Sequence, residues 1–281
     1  MFHRFPLQTH PFTLQKTGTL NQALQNKTFV IIGGTNGLGF SAAKAFVYEG
    51  ARVVVVGRNT GSVDQAESVL GEAARGLAGD ATDPKTAPQA ISLARQEFGG
   101  FDGLYHVAGG SGRSVGDGSL HEISNEGWLH TIDLNLTSVF NSNRAALQEL
   151  IALNQSGVIL NMTSVLADSP APKHFATHAY TAAKAGIIGL TKAAAAQYSK
   201  QNIRVNAIAP ALVATPMSGR AQANEKIMNY IKHKQPLDGG RIGLPEDVDG
   251  AAVFLMSDAS RFTTGQVLTV DGGWNVSEGF E

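Results

Sequence analysis

The amino-acid sequence predicts an α/β fold in which helices cover both faces of a parallel sheet of about seven strands. Short β-branched runs alternate with helical stretches along the chain, which is the order of a doubly wound, Rossmann-like sheet. Several runs are apolar throughout rather than at every second position, as is typical of strands buried on both faces. Neither an internal repeat nor a flexible linker divides the 281 residues, so we predict a single domain over residues 27–281.

The elements follow from this alternation. Six segments have the composition of buried strands: 27–34, 51–57, 101–109, 157–164, 203–210 and 265–273. A weaker run at 75–80 supplies a seventh strand, and the clearest helical patterns lie at 39–50, 88–99 and 178–197. We predict that residues 1–26 form an N-terminal arm that packs on a neighbouring subunit. These residues lack the continuous apolar stretch of a signal peptide and carry one Arg and no Ser, which argues against a transit peptide.

Composition excludes several classes of function. The chain has no cysteine, so disulfides, thiolate metal sites and cysteine nucleophiles are ruled out. A formal net charge of −1 gives no electrostatic basis for binding nucleic acid or an anionic membrane. No apolar run approaches the roughly 18 residues needed to cross a bilayer. We therefore expect a cytoplasmic protein without nucleic-acid or membrane partners.

A glycine-rich turn follows the first predicted strand. In the stretch GGTNGLG, Gly33, Gly37 and Gly39 allow a tight turn and a close approach of the backbone to a pyrophosphate at a helix N-terminus. The motif is weak alone, because such turns are common between strands and helices. Its place between the first strand and an apolar helix predicts a nucleotide site.

The end of the second strand bears on which nucleotide is bound. An acidic residue at this position binds the ribose hydroxyls of NAD, whereas an Arg accommodates the 2′-phosphate of NADP. This chain has Gly57 there, followed by Arg58 and Asn59, so NADP(H) is preferred and NAD(H) stays possible. Arg58 could also be an ordinary loop cation. At the end of the third strand, Asp80 could lie beside an adenine or could cap the next helix.

Tyr180 and Lys184 stand four residues apart on a helix of small and aliphatic residues. Such residues share one helix face, and a cation beside a phenol lowers the phenol pKa from about 10. The pair is therefore a candidate proton donor or acceptor. A surface Tyr and a surface Lys on an ordinary helix would show the same spacing.

Taken together, the motifs resemble those of the short-chain dehydrogenase/reductase family over residues 26–275. The stretches that carry the resemblance, in order, are GGTNGLG (33–39), GDATD (79–83), HVAG (106–109), DLNLTSVF (133–140), NMTSV (161–165), YTAAK (180–184), RVNAIAPALVATPM (204–217), RIGLPEDV (241–248) and LTVDGGW (268–274). The resemblance implies an oxidoreductase that moves a hydride between a nicotinamide cofactor and a carbonyl carbon, with no metal.

The resemblance also assigns roles to residues. Tyr180 would exchange the proton of the substrate oxygen, Ser164 would hydrogen-bond that oxygen, and Lys184 would hold the nicotinamide ribose and keep the Tyr180 pKa low. Asn135 would seat a water that links the lysine to solvent. The resemblance also favours a position of Asp80 beside the adenine over a helix cap. The cofactor contacts that we predict are Gly33, Thr35, Asn36, Gly37, Leu38, Gly39, Arg58, Asn59, Asp80, Ala81, Ala108, Gly109, Tyr180, Lys184, Pro210, Val213 and Thr215.

Departures from the family pattern concern the substrate side. His106 stands in HVAG where the family has an asparagine, and we expect it to be a packing or hydrogen-bonding substitute. The segment between Ser164 and Tyr180 is longer than usual, and its His174, Phe175 and His178 either touch the substrate or lie on the surface. The glycine-rich loop 109–119 offers Arg113 as an anion contact.

A substrate lid is predicted at about 211–241. Its apolar residues (Ile227, Met228, Tyr230 and Ile231) suit a fairly apolar carbonyl or alcohol substrate, although a buried structural helix face would look the same. The helix of Tyr180 is apolar on more than one side, so we expect a homotetramer, or else a dimer. The leading function is an NADP(H)-dependent carbonyl reductase or alcohol dehydrogenase. The alternatives are an NAD(H)-dependent alcohol dehydrogenase, a catalytically silent nucleotide-binding sensor, and a non-redox enzyme that uses a tightly held cofactor.

Overall fold

Seven parallel strands form one sheet in the computed structural model, which describes residues 22–279. In chain order the strands are β1 (Thr28–Ile32), β2 (Arg52–Gly57), β3 (Ala74–Ala78), β4 (Gly103–His106), β5 (Gly157–Met162), β6 (Ile203–Pro210) and β7 (Val267–Val270). Their order across the sheet is β3-β2-β1-β4-β5-β6-β7. The predicted doubly wound fold is confirmed, and so is the weak third strand.

Helices connect the strands and cover the sheet. They are α1 (Gly37–Tyr48), α2 (Thr60–Leu70), α3 (Thr86–Phe98), α4 (Asn125–Ile132), α5 (Ser138–Ala152), α6 (Pro172–Phe175), α7 (His178–Tyr198), α8 (Gly219–Gln222), α9 (Glu225–Lys234) and α10 (Glu246–Met256). A π-helical turn (Asp133–Thr137) joins α4 to α5. Such turns are rare and occur mostly as single-turn insertions at functional sites.

The core lies on both faces of the sheet because successive strand residues point to opposite sides. In β1, Phe29 and Ile31 pack with α1, α2 and α10, whereas Val30 and Ile32 pack with α3, α5 and α7. All four side chains are buried, which explains why the strand is apolar throughout.

The order of the strands reverses between β1 and β4, which are neighbours in the sheet although two strands separate them in the chain. The connections that leave these two strands run to opposite sides, so a crevice opens beyond their carboxyl ends. The glycine-rich turn after β1 and the HVAG stretch at the end of β4 both lie there. The fold thus places the predicted cofactor residues at one edge of the sheet.

The last strand is shorter than predicted, ending at Val270 rather than at residue 273. Gly272 and Gly273 have positive φ angles of 59° and 98°, and the Asp271 carboxylate accepts hydrogen bonds from the N–H groups of Gly273 and Asn275. This turn stops the ladder and directs Trp274 towards the crevice.

Of the predicted N-terminal arm, residues 1–21 lie outside the described part of the chain. Leu24 is fully buried, and its N–H donates to the Glu49 carbonyl at the end of α1 (3.0 Å). The boundary at residue 26 and the contact with another subunit stay predictions. Among residues 22–279, no helix is both long and apolar enough to span a bilayer.

Candidate active site

A cavity of about 340 Å³ opens in the crevice beyond the carboxyl ends of the strands. Sixteen predicted site residues line it: Gly33, Thr35, Asn36, Gly37, Leu38, Arg58, Asp80, Ala81, Ala108, Gly109, Ser164, Tyr180, Lys184, Pro210, Val213 and Thr215. Gly39, Asn59 and Asn135 do not line it. The fold therefore brings residues from most of the chain to one place.

The glycine-rich turn leaves no room for side chains. Gly33 has a φ of 86°, and a Cβ atom there would lie 2.6 Å from the backbone nitrogen of Ala108. At Gly39 a Cβ atom would lie 2.0 Å from the Gly33 carbonyl oxygen, so this glycine lets α1 start directly behind the turn. Gly39 thus shapes the site without lining it.

The beginning of α1 faces this turn and has no side-chain cap in the described structure. The first N–H groups of a helix have no partner within the helix, and they carry the positive end of its dipole. A backbone cradle that a Cβ atom would fill, next to uncapped N–H groups, fits the pyrophosphate of a dinucleotide.

Arg58 lies on the exposed rim of the same cavity, at the end of β2. A side chain at Gly57 would meet the Thr35 hydroxyl, because a Cβ atom there would lie 2.3 Å from Thr35 Oγ1. Packing therefore explains why no acid stands at this position. The rim consequently has a guanidinium group and no carboxylate at residue 57.

Asn59 plays a different part from the predicted cofactor contact. Its side-chain oxygen accepts a hydrogen bond from the Ser62 N–H (3.0 Å) and caps α2. Asn is among the residues preferred at this position for that reason. In the structure Asn59 fixes the start of the helix behind Arg58 and does not reach the cavity.

Asp80 lines the cavity and does not cap the next helix. Its carboxylate accepts hydrogen bonds from the Thr82 N–H (2.9 Å) and hydroxyl (2.8 Å), whereas α3 begins only at Thr86. Partial burial tends to raise the pKa of Asp80, but the two bonds from Thr82 and the charge of Arg58 outweigh it, and the pKa is lowered. The helix-cap alternative is therefore wrong.

Tyr180 and Ser164 meet at the centre of the cavity. Burial raises the pKa of the Tyr180 phenol, and a hydrogen bond with the Ser164 side chain partly opposes this effect. Ser164 is itself buried and accepts a hydrogen bond from the Leu166 N–H (3.2 Å). The phenol is consequently neutral and able to donate a proton.

The predicted effect of Lys184 on this phenol does not occur in the described structure. Lys184 is 3 % exposed, its ammonium donates to the Met162 carbonyl (2.8 Å), and its Nζ lies 5.5 Å from the Tyr180 ring centroid. Burial lowers the pKa of Lys184 to about 7, and it is burial and Ser164 that set the pKa of Tyr180. The spacing in the sequence placed the two residues side by side, but burial raises the pKa of Tyr180 instead of Lys184 lowering it.

Asn135 holds the loop beside Lys184 rather than facing the cavity. It lies in the π-helical turn, its amide group donates to the carbonyls of Gly110 (2.8 Å) and Thr131 (2.9 Å), and its oxygen accepts from the Gly110 N–H (3.0 Å). A Cβ atom at Gly109 would lie 2.7 Å from Asn135 Oδ1 and 3.4 Å from Lys184 Nζ. The contact with a water stays a prediction.

His106 is a buried hydrogen-bonding residue and not a member of the cavity wall. Its Nδ1 lies 2.7 Å from the Ser142 hydroxyl, and its Nε2 lies 3.2 Å from the Ala108 carbonyl oxygen. Burial, helped by the charge of Lys184, lowers the pKa of His106 to about 3, so the ring is neutral at physiological pH. It ties the end of β4 to α5, as expected from the sequence.

The first turn of α7 is fixed by a residue that sequence reasoning missed. The buried Asp117 carboxylate accepts hydrogen bonds from the N–H groups of Ala179 (3.0 Å) and Tyr180 (2.9 Å). Thr177, at the N-cap position, makes no such bond in the described structure. A carboxylate there also suits the helix dipole. No sequence pattern indicated this contact, because Asp117 lies 62 residues away from Ala179.

Aromatic rings form the substrate side of the cavity. Phe175 and Trp274 line it with their ring centroids 5.9 Å apart, and Tyr230 stands behind them, 5.8 Å from Trp274. His174 and His178 do not line the cavity, and His178 Nδ1 lies 2.8 Å from the Gly118 carbonyl oxygen. Of the three residues singled out in this segment, only Phe175 therefore reaches the site.

The apolar residues of the predicted lid helix serve packing. In α9, Ile227 and Ile231 are buried against Val165, Ala171 and Trp274 and do not line the cavity. The loop and α8 that precede them supply the lid contacts instead, including Met217 and Arg220, which sequence reasoning also missed. Within residues 22–279, no three His, Asp or Glu side chains are grouped as metal ligands.

Comparison with known proteins agrees with this geometry. Residues 33–275 match the family model described as enoyl-(acyl carrier protein) reductase. The chain is 36% identical over 252 residues to a 3-oxoacyl-[acyl-carrier-protein] reductase of Chlamydia trachomatis, covering 89% of this chain and 98% of that one. It is also 36% identical over 262 residues to 3beta-hydroxysteroid dehydrogenase 1 of Eggerthella lenta, covering 92% and 97%.

A solved structure shows the same fold. The 3-ketoacyl-(acyl-carrier-protein) reductase of Brucella melitensis, complexed with NADH, superposes with a TM-score of 0.78 at 29% identity, covering 90% of this chain and 100% of that one. On the strength of these matches, the chain belongs to the short-chain dehydrogenase/reductase family of nicotinamide-dependent oxidoreductases that act on hydroxyl and keto groups.

Proposed function

We propose that this protein reduces a ketone or aldehyde with NADPH, and that Tyr180 donates the proton. The observation that carries the proposal is the neutral Tyr180 phenol beside the Ser164 hydroxyl, in a cavity that also contains the glycine-rich turn. A donor held next to a second hydroxyl can place a carbonyl oxygen between the two groups.

Each polar group near the centre has a distinct task in this proposal. A nicotinamide bound along the cavity supplies the hydride. Tyr180 gives its proton to the substrate oxygen as negative charge develops there, and Ser164 hydrogen-bonds the same oxygen. Lys184, whose ammonium already reaches the Met162 carbonyl, is the cation nearest the phenol ring and would bind the ribose hydroxyls. Asn135 fixes the Gly110 backbone beside it.

Two features support NADPH and reduction. Arg58 provides a guanidinium group at the rim where a 2′-phosphate would lie, and Gly57 provides no carboxylate to repel that phosphate. Burial raises the pKa of Tyr180, so the phenol is protonated and set to act as an acid. An NAD(H)-dependent alcohol dehydrogenase is the alternative if Arg58 makes no contact with the cofactor.

The substrate is a small carbonyl compound with an apolar body. Phe175 offers aromatic surface within the cavity, and the side chains of Leu166 and Met217 add apolar surface, whereas Trp274 is buried and packs against Phe175. The names of the relatives reported above give a 3-oxoacyl-[acyl-carrier-protein] and a 3beta-hydroxysteroid as substrates, so these names agree on the class of reaction and differ on the substrate. We also propose a homotetramer, or else a dimer, in the cytoplasm.

The test is to titrate the purified full-length protein with NADPH and NADH separately, following nicotinamide fluorescence, and then to screen ketones and aldehydes for oxidation of the preferred nucleotide. We expect tighter NADPH binding, which Arg58→Gln reduces by about tenfold, as for one lost charge-assisted contact. Tyr180→Phe is expected to bind NADPH normally and to lose nearly all turnover. Full turnover in Tyr180→Phe would contradict the mechanism. Tight nucleotide binding without turnover of any carbonyl compound would favour the silent-sensor alternative, and absence of nucleotide binding would contradict the proposed cofactor.

A further inference from the structure

Two arginine side chains meet on the substrate side of the cavity. Nη2 of Arg113 donates to the His174 carbonyl oxygen at 3.4 Å, and Nη2 of Arg220 donates to the same oxygen at 3.2 Å. Arg113 comes from the loop after β4, whereas Arg220 comes from α8 in the lid. Both residues line the cavity, so their guanidinium groups stand side by side at its wall.

The positive charge of this pair is only partly balanced by the protein. In the described part of the chain, neither guanidinium group forms an ion pair with a carboxylate. The carboxylate whose charge acts on Arg113 is that of Asp117, and its two oxygens accept the N–H groups of Ala179 and Tyr180. The protein as a whole has a net charge of −1, so a cationic pair that Asp117 compensates only in part is a local feature of this site.

Neighbouring charges confirm that the two groups repel each other. Burial and the charge of Arg220 lower the pKa of Arg113, and Asp117 only partly opposes them. Burial, Lys173 and Arg220 likewise lower the pKa of His174. Holding two like charges together is unfavourable, and each guanidinium group uses only one N–H on the His174 carbonyl. A purely structural role therefore does not explain why both residues are arginines.

We propose that the substrate carries an anionic group, a carboxylate or a sulfonate, which Arg113 and Arg220 bind together. Each guanidinium group has five N–H donors in a planar fork that matches such oxygens, and the structure uses one donor of each on His174. Phe175 would then contact an apolar body between this group and the carbonyl at Tyr180. This inference rests on the proposed function and names the substrate class of the same site.

The proposal is tested by binding, with matched probes that differ in charge. The probes are 4-acetylbenzoate, 4-acetylbenzenesulfonate and the uncharged methyl 4-acetylbenzoate, titrated into full-length protein that is saturated with the oxidised form of its preferred nucleotide. We expect at least one of the two anions to bind about tenfold or more tightly than the ester, since hydrogen bonds to charged groups are the strong ones. The preferred anion identifies the group, and the preference is expected to shrink as salt is raised.

Variants show which residues carry the preference. Arg113→Gln and Arg220→Gln are each expected to reduce it by about tenfold. Lys226→Gln is the matched control, because Lys226 is an exposed cation on α9 that does not line the cavity, and it is expected to keep the full preference. Nucleotide affinity is measured in parallel for every variant.

The outcomes separate this inference from the proposed function. Equal binding of ester and anions by the unmodified protein, or no binding of either anion at millimolar concentration, overturns the arginine site whether or not the variants fold. Weaker nucleotide binding in Arg113→Gln and Arg220→Gln with an unchanged preference overturns it as well, because the arginines would then bind the cofactor. Failure of every carbonyl compound to oxidise NADPH or NADH would instead overturn the proposed function and leave the binding result intact.

Discussion

Lys184 shows, at the scale of a residue, how a buried charged side chain opposes folding. In an unfolded chain a lysine has a pKa near 10.4, whereas burial lowers the pKa of Lys184 to about 7. Between these two values the unfolded chain binds more protons than the folded protein, so the stability of the folded protein rises with pH across this window. Below pH 7 the folded protein carries the full penalty of a buried charge.

Replacing Lys184 by Met is therefore expected to stabilise the protein most at or below pH 7. The advantage is expected to shrink as the pH rises towards 10, because the lysine of the unmodified protein then folds without its proton. Thermal unfolding of both proteins at pH 6, 8 and 10 checks this, with Lys226→Met as an exposed control on α9. A stability difference that does not change with pH would contradict the buried-charge explanation.

Single residues also mark the limit of prediction from sequence. The spacing of Tyr180 and Lys184 identified the pair, since neighbours on a helix face can be read directly. The pKa of Tyr180 could not be predicted from the sequence, because it depends on burial by segments from elsewhere in the chain. Arg220 and Asp117 were missed for the same reason: their partners, His174 and the first turn of α7, are distant in sequence.

At the scale of elements, a buried amide pair ties α5 to β5 and α7. Asn143 and Asn161 exchange hydrogen bonds of 2.8 and 3.0 Å, and Asn161 also donates to the Thr191 hydroxyl (3.1 Å). All three side chains are buried. Because α7 carries Tyr180 and Lys184, this network fixes the helix that bears both residues against the sheet.

Removing one amide leaves the other without its partner, so Asn143→Ala and Asn161→Ala are each expected to cost about 1–3 kcal/mol of unfolding free energy. The double variant is expected to cost less than the two single losses together, because the amide that each single variant leaves without its partner is then absent. Urea unfolding of the unmodified protein, the two single variants and the double variant gives the coupling free energy between Asn143 and Asn161. Strict additivity would show that the pair does not act as a unit.

The helices and strands were predictable where one pattern of apolar residues was enough to identify them. The strands and α7 followed from apolar runs and helical periodicity. The π-helical turn at Asp133–Thr137 has no such period, and α6 is only four residues long within the lengthened segment before Tyr180. The role of α9 was ambiguous for a different reason: buried residues that pack on the protein and residues that pack on a substrate have the same pattern.

At the scale of the whole molecule, the outer face of α7 supports the proposed oligomer. Ala185, Gly189, Ala193 and Ala196 are exposed, and nothing lies within 4 Å of a Cβ atom built at Gly189. On α5, Phe140 is 43% exposed. Small residues allow a close approach of two helices, and an exposed aromatic side chain provides apolar surface to bury.

A charge on that face is therefore expected to separate the subunits. Light scattering of the unmodified protein is expected to give the mass of a tetramer or a dimer, and Ala193→Arg to give a smaller species. Ser68→Arg, on the exposed side of α2, is the control and is expected to leave the mass unchanged. A monomer in the unmodified protein would contradict the proposed assembly.

The fold as a whole was predictable because its alternation of strands and helices, and its connections, leave few arrangements. The substrate side was not, because it is built from the loop 109–119, the segment before Tyr180 and the lid, which meet only in three dimensions. Repeating sequence patterns therefore predicted the elements, whereas contacts between irregular segments could not be predicted from the sequence.

The loop that carries Arg113 also carries Asp117, and this has a consequence for catalysis. Asp117 holds the N–H groups of Ala179 and Tyr180, so the loop that would bind the anionic end of a substrate also supports the backbone of the proton donor. An anion bound to Arg113 would therefore stabilise both the loop and the backbone of Tyr180. Discrimination against uncharged ketones is therefore expected to appear in kcat as well as in KM, because a substrate without the charge would leave the donor less firmly placed.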